Sequence, residues 1–241
     1  MANHALLNNI EHQDLKIITE KSAAFGNDKM YSMVFPFEFK HVQADYPIFF
    51  HKDLKSNTYV ALALFGFEEK ENLFLKNGKW EASYIPLMVE REPFLIGNQS
   101  TQIDGETVDN QVIHIDLDSP RVSKDHGTDI FLPHGGNSEY INKVSAMLKA
   151  IHDSKASTEL FMKTVSDLDL IEPFNLDIEL SNGTNNRLTG FYTINEDKLA
   201  NLTGEQLASL NKSGLLMLIY MVIASQSNIT ALIQKKDRVT L

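Results

Sequence analysis

The chain has 241 residues, 43% of them hydrophobic and 22% charged, with a formal net charge of -10 and no cysteine. That length and composition fit one large globular domain or two closely packed small ones, while a negative balance with no basic block argues against nucleic-acid and membrane-surface roles. The missing thiols exclude disulfides, thiolate metal sites and a cysteine nucleophile, and they fit a cytoplasmic location.

The opening Met-Ala-Asn-His-Ala-Leu-Leu-Asn-Asn-Ile has neither a basic leader nor a continuous apolar core, so no secretory signal is expected. The stretch to Phe25 is mixed, with a short strand at Leu15–Ile18 and a turn at Gly26-Asn27-Asp28. Met30–Phe35 and Ile48–His51 read as strands separated by proline-marked turns around Pro36-Phe37-Glu38-Phe39 and Asp45-Tyr46-Pro47. Tyr59–Phe67, nearly all apolar, is the candidate central strand. Asn77-Gly78 between Leu73–Lys76 and Lys79–Ile85 is a hairpin signal, because both residue types tolerate positive φ. Asn98–Asn110 is polar and reads as a surface loop or hairpin tip.

The focal stretch is Val112–Val122, a strand that ends at Pro120. His114, Asp116 and Asp118 alternate on one face, with Ile113, Ile115 and Leu117 on the other. Lys124–Gly127 reads as a turn and Ile130–Leu132 as a short strand. After Gly135-Gly136, Asn137 can cap a helix whose stripe is Ile141, Val144, Leu148 and Ile151. A second helix runs about Ser157–Leu168 with Leu160, Phe161, Thr164, Val165 and Leu168 inward. Phe174–Leu180 and Arg187–Ile194 form a hairpin around Asn182-Gly183 with one wet face.

Asn195 can cap Glu196–Asn201, and Thr203 with Gln206 forms a capping box for Gly204–Asn211. A last helix, Leu215–Lys235, is apolar all round for three turns and basic at its end. Its longest apolar run, Leu215–Ala224, is short of the roughly 20 residues that span a bilayer and is closed by Ser225, Gln226 and Ser227. A buried core helix is expected rather than a transmembrane segment. The fold class is therefore α+β. A single domain over 1–241 is expected, strand-rich over 1–132, with a helix-rich part over 133–241 packed on it.

The chemistry-bearing residues divide into two sets. His114-x-Asp116 is the opening of a facial triad for a divalent metal such as iron, and His126, His134 or His152 would have to complete it, with His134 the chosen third ligand. The commoner reading of the same residues is a solvated or ion-paired strand face. Arg91 and Arg121 sit beside proline turns and could hold a carboxylate ligand or, by default, pair with Asp116 or Asp118. Trp80, Tyr84 and Phe94 belong to an aromatic set that is either core or the lining of a ligand groove. Gly135-Gly136-Asn137 lacks the surroundings of a phosphate loop, and no Gly-x-Ser-x-Gly supports a hydrolase. Catalytic residues are not assigned.

A series of short motifs has a familiar order: Tyr46-Pro47-Ile48, Asn72-Leu73-Phe74, Gly78-x-Trp80, Tyr84-Ile85-Pro86, Arg91-x-Pro93-Phe94, Ile115-Asp116-x-Asp118-Ser119-Pro120 and Gly190-Phe191-Tyr192. Together they resemble the SapC-like family of bacterial proteins over nearly the whole chain, from Asn8 to the final helix. The family is named from an operon for a surface-layer protein, so the resemblance implies an envelope-related role. Members lie near genes for TonB-dependent receptors, halogenase-like proteins and cupin-like hydroxylases, which implies an accessory part in uptake or modification of a substrate. It carries no catalytic residues over to this chain.

The favoured expectation is a soluble, cytoplasmic accessory protein that binds a protein partner or small ligand without catalysis. A metal-dependent oxygenase built on His114 and Asp116 is the alternative, and a structural surface-layer component is the third. Surface association stays compatible with the first. The apolar last helix could be buried within one chain or across a homodimer.

Overall fold

The computed structural model describes residues 3–103, 106–181, 183 and 185–240. In chain order the elements are β1 (His4–Leu6), β2 (Lys16–Ile17), β3 (Tyr31–Val34), α1 (Phe39–Val42), β4 (Ile48–Asp53), β5 (Thr58–Leu64), β6 (Leu75–Lys76), β7 (Lys79–Trp80), α2 (Leu87–Glu90), β8 (Phe94–Ile103) and β9 (Glu106–Asp116). They continue as β10 (Val122–Ser123), β11 (Thr128–Asp129), α3 (Glu139–Asp153), α4 (Lys155–Asp167), β12 (Ile171–Glu179), β13 (Asn185–Ile194), α5 (Glu196–Ala200), α6 (Gly204–Lys212), α7 (Leu215–Ser225) and α8 (Asn228–Thr240). The class is α+β, with antiparallel sheets mostly in the N-terminal half and helices toward the C-terminus.

The chain forms two compact units, each assembled from two separate segments: residues 1–27 with 89–153, and 28–88 with 154–241. Each carries its own strands and helices.

In the first unit, β8 and β9 form a long antiparallel hairpin, and β1 joins the other side of β9, giving the order β1-β9-β8. The polar stretch Asn98–Asn110 is thus mostly strand, and its tip at 104–105 lies outside the described residues. Cross-strand partners share a face, so Ala5, Phe94 and Ile115 fall on one side together with the pair Ile96 and Ile113. That side joins a core with Leu15, Ile17, Ile130, Phe131, Ile141, Val144 and Leu148. The last three belong to the expected inner stripe of α3, whose fourth member, Ile151, is only partly buried. Its cap differs from expectation: Ser138 Oγ accepts from the Ile141 N–H at 3.3 Å, while Asn137 bridges back to Phe131. Gly135, at φ +87, makes the turn that closes this bridge. The expected strand at Ile130–Leu132 is displaced to β11, which pairs with β2 as β10 does.

In the second unit the sheet order is β12-β13-β4-β5-β3. The apolar β5 lies inside the sheet, but β4 holds the middle place. β4 and β5 carry buried side chains on both faces at Ile48, Phe49, Phe50, Ala61, Leu62, Ala63 and Leu64. Phe161 of α4 packs edge-on against Phe39 at 5.6 Å and lies 6.3 Å from Phe50. Leu160, expected on that inner side, is 54% exposed, because Phe161, Met162 and Val165 already fill the buried stripe. Asn77 and Gly78 both take positive φ in the β6–β7 turn, as their residue types foretell. Of the later Asn182-Gly183 turn, Asn182 lies outside the described residues.

The last helix is interrupted: α7 ends at Ser225, and Gln226 and Ser227 form a turn before α8. The break has a physical use. Beyond the two positions where β13 pairs with β4, the Ile48 N–H donates to Ser225 Oγ at 2.9 Å, and Gln226 Nε2 donates to the Ile48 carbonyl at 2.8 Å. Side chains at the end of α7 thus satisfy strand groups that would otherwise lack partners. By length and composition alone, Leu215–Val239 is long and apolar enough to cross a membrane. Burial within α7 is confined to one stripe, Leu215, Ile219, Val222 and Ser225, whereas Met217 and Tyr220 are more than half exposed.

Candidate functional site

The focal strand places His114 and Asp116 on the face of β9 opposite the core. There the His114 ring lies where a side chain on Gly97 would sit: a Cβ at that glycine would come within 2.1 Å of the imidazole. The ring therefore covers the glycine of the neighbouring strand. Asp116 and Asp118 are engaged in turn formation. Asp116 Oδ1 accepts from the Asp118 N–H at 3.2 Å, and Asp118 Oδ2 accepts from the Asn3 N–H at 3.1 Å. Pairing with β1 brings His4 opposite Asp116, a proximity that local spacing does not reveal. His134 is exposed in the turn before Gly135. Among the described residues no three His, Asp or Glu side chains converge to hold a metal ion, so His114, Asp116 and His134 are not assembled into a facial triad.

Arg121 is the largest fully buried side chain of the first unit, at 2% exposure. Its Nη1 donates to the carbonyls of Ile18 and Glu20, each at 2.9 Å, and Nη2 donates to Asn27 Oδ1. The guanidinium also lies 5.7 Å from the Phe25 ring centre. Burial pulls its pKa below the usual arginine value, and the negative charges of Glu92, Glu90 and Glu20 oppose that. The expected pairing with Asp116 or Asp118 is replaced by these backbone and amide acceptors. Close by, Lys21 pairs with Glu90 at 2.7 Å, and Tyr140, against Phe94 at 6.1 Å, is pushed up to about 12 chiefly by burial. Arg91 Nη1 donates to the Phe94 carbonyl at 2.6 Å, and Phe94 itself is fully buried. A cis Glu92–Pro93 bond precedes β8.

Trp80 and Tyr84 belong to the second unit, where they join a chain of hydrogen bonds. Trp80 Nε1 donates to Tyr46 Oη at 2.6 Å, and Tyr46 Oη donates to the Tyr84 carbonyl at 2.5 Å. Tyr84 Oη then donates to Glu38 Oε1 at 2.9 Å. Glu38, 1% exposed, also accepts from the Leu87 N–H at 2.9 Å and the Phe35 N–H at 3.0 Å. Its pKa is raised because burial disfavours the carboxylate more than these bonds and the nearby His41 favour it. Burial likewise raises Tyr46 and Tyr84 well above the ordinary phenol value. The His41 ring stacks on Tyr84 at 5.2 Å.

Glu38 and Tyr46 enter the site only through the fold. The available signal was a glutamate set among Pro36, Phe37 and Phe39, since a charge within an apolar run is more informative than another apolar residue. Trp80, Tyr46 and Tyr84 are among the residues that carry the family resemblance, and the fold links them in one hydrogen-bonded chain. Its ends are a buried carboxylate and an indole, and each polar atom named in it has an internal partner. Such an arrangement holds segments together. Phe35, Tyr84 and Leu87 are fixed on the Glu38 carboxylate, and Tyr46 and Trp80 are tied in turn to Tyr84.

Fold and polar interior define an α+β protein in which buried charges bind the chain's own backbone. The sequence model of the SapC family matches residues 7–232, and the chain belongs to that family. No curated protein and no solved structure matches it.

Proposed function

We propose that this SapC-family chain is a soluble, cytoplasmic accessory protein that binds a protein partner or small ligand in an envelope- or uptake-related process, without catalysing a reaction. The observation that carries the reading is the engagement of the chemistry-bearing side chains. Asp116, Asp118, Arg121 and Glu38 each bind backbone groups of the same unit. Arg121 and Glu38, buried and so engaged, are poor ligands for a substrate, because releasing them leaves buried groups without partners, while no third His, Asp or Glu among the described residues converges with His114 and Asp116. Family membership supports the accessory role.

The test is metal content by mass spectrometry after anaerobic loading with iron, on the parent and on a folded His114→Ala, Asp116→Ala double variant. Both are expected to hold far less than one equivalent of metal. Near-stoichiometric iron in the parent, lost in the double variant, would overturn the reading and favour the oxygenase. Cell fractionation of the parent tests location: enrichment with the cytosol is expected, and recovery outside the cell would favour a surface-layer component.

A further inference from the structure

We propose that the outer edge of β8 is a self-association surface, on which a second copy of the chain adds its own β8 in antiparallel pairing. The Asp116 N–H donates to the Pro93 carbonyl, and the Leu7 N–H donates to the Ile113 carbonyl. Even-numbered residues at the end of β9 therefore face β8 and odd-numbered ones face β1. With Leu95 opposite His114, the odd residues of β8 face β9 and the even ones direct N–H and C=O to the free edge. Phe94 is occupied on that edge, its N–H by the Arg91 carbonyl and its carbonyl by the Arg91 guanidinium. Further along, the main-chain groups of Ile96 and Asn98 meet no partner among the described residues.

A long open edge is an association hazard that proteins blunt with charge, proline, a bulge or shortness. The other named edges here are blunted. β1 spans three residues and β3 four. β12 carries Glu172, Pro173, Asp177 and Glu179, with a register shift between Phe174 and Leu176. β8 spans ten residues, Phe-Leu-Ile-Gly-Asn-Gln-Ser-Thr-Gln-Ile, with no charge and no proline. In a chain of net charge -10, this neutral edge is open to a copy of itself without setting like charges opposite each other.

The occupant follows from the same residues. An arbitrary extended peptide would be selected by pockets for its alternate side chains, and the exposed residues here, Asn98 and Gln99, are amides. An amide is both donor and acceptor, so it complements itself. The register also follows. With Phe94 occupied and the strand ending at Ile103, a two-fold axis through Gln99 sets Ile96 opposite Gln102 and Asn98 opposite Ser100 of the partner. Gln99 then faces its own copy as a non-hydrogen-bonded pair, the closest kind of cross-strand approach.

Sedimentation of the parent chain across concentration, with two variants, tests this. In Asn98→Pro the lost N–H points outward and makes no bond to β9, so the hairpin should remain while the edge is blocked. Because the chain has no cysteine, Gln99→Cys supplies the single thiol, with Leu54→Cys, at 89% exposure, as the control. The parent should pass from monomer to dimer as concentration rises, and Asn98→Pro should weaken this at least ~10-fold in Kd. Mild oxidation should give a covalent dimer of Gln99→Cys and not of Leu54→Cys. A parent that is monomeric at ~100 µM, a dimer that Asn98→Pro leaves unchanged, or equal cross-linking of the two cysteines would each overturn the proposal. If Asn98→Pro does not fold, the parent's sedimentation and the cysteine comparison decide it.

Discussion

The two units each contain a buried charge, and they treat it in opposite ways. In the first, a cation, Arg121, donates to the carbonyls of Ile18 and Glu20 and to Asn27. In the second, an anion, Glu38, accepts from the N–H groups of Phe35 and Leu87 and from a tyrosine hydroxyl. Each charge is met directly by neutral groups, but their wider surroundings differ. Glu90, Glu92 and Glu20 act on Arg121 from a distance, whereas the named charge favouring ionised Glu38 is His41. Arginine also remains protonated when buried, while a carboxylic acid can escape the cost of burial by taking up a proton. The first unit is therefore tied by a permanent ion and the second by one that pH can discharge.

The largest effect should come from Arg121→Leu. It leaves two carbonyls and the Asn27 amide without this donor, each costing about 1–3 kcal/mol, and should cost about 3–5 kcal/mol in all. Hydrogen exchange should localise the loss to residues 1–27 and 89–153; a loss confined to the other unit would contradict Arg121's role as the tie of the first. Glu38→Ala should cost somewhat less, about 2–4 kcal/mol, since three donors lose a partner but a buried charge is also removed. Chemical denaturation followed by the single tryptophan, Trp80, reads this directly. Tyr46→Phe removes one hydroxyl that both accepts and donates, and about 1–2 kcal/mol is expected in the same measurement.

The pH response sharpens the contrast. Because the folded-state pKa of Glu38 is raised, the folded protein binds more protons than the unfolded chain between the ordinary value of 4.5 and the raised one. Stability from this group is complete below 4.5 and is lost as pH rises through the folded value. The Tm difference between the parent and Glu38→Gln should thus shift against the parent across that window. A difference that stays flat with pH would remove the titrating role. The smallest effect should be at the exposed Lys163–Asp167 pair on α4, where Lys163→Ala should change stability by about 0.3 kcal/mol.

What the sequence made legible was local. Asn77-Gly78 dictates its turn through backbone freedom, and the capping box of Thr203 and Gln206 forms as expected, with Gln206 N–H donating to Thr203 Oγ1 at 3.2 Å. The inner face of α3 and the alternation in β12 follow from periodicity. The acceptors of Arg121 were not legible, since they lie about a hundred positions away in a segment with no regular pattern. Glu38 was hidden because Pro36-Phe37-Glu38-Phe39 reads as a turn, where a glutamate would ordinarily be wet. The proposed metal set suffered from the same limit. Spacing put His114 and Asp116 on one face, but only the fold shows an imidazole over Gly97 and a carboxylate turned toward the Asp118 amide.

The partnership of Ile48 with Ser225 and Gln226 has a consequence for synthesis. The strand and the helix end that completes it are 177 positions apart. At translation rates of about 5–20 residues per second, the ribosome takes on the order of ten seconds or more to make that interval. During that time β3, β4 and β5 have emerged, while Ile48 still lacks the side chains that meet its N–H and C=O. The first unit has all of its residues once Asp153 has been made; the second must wait for α7 and α8. For that interval the nascent chain carries an apolar sheet with an open edge, the kind of surface on which chaperones act.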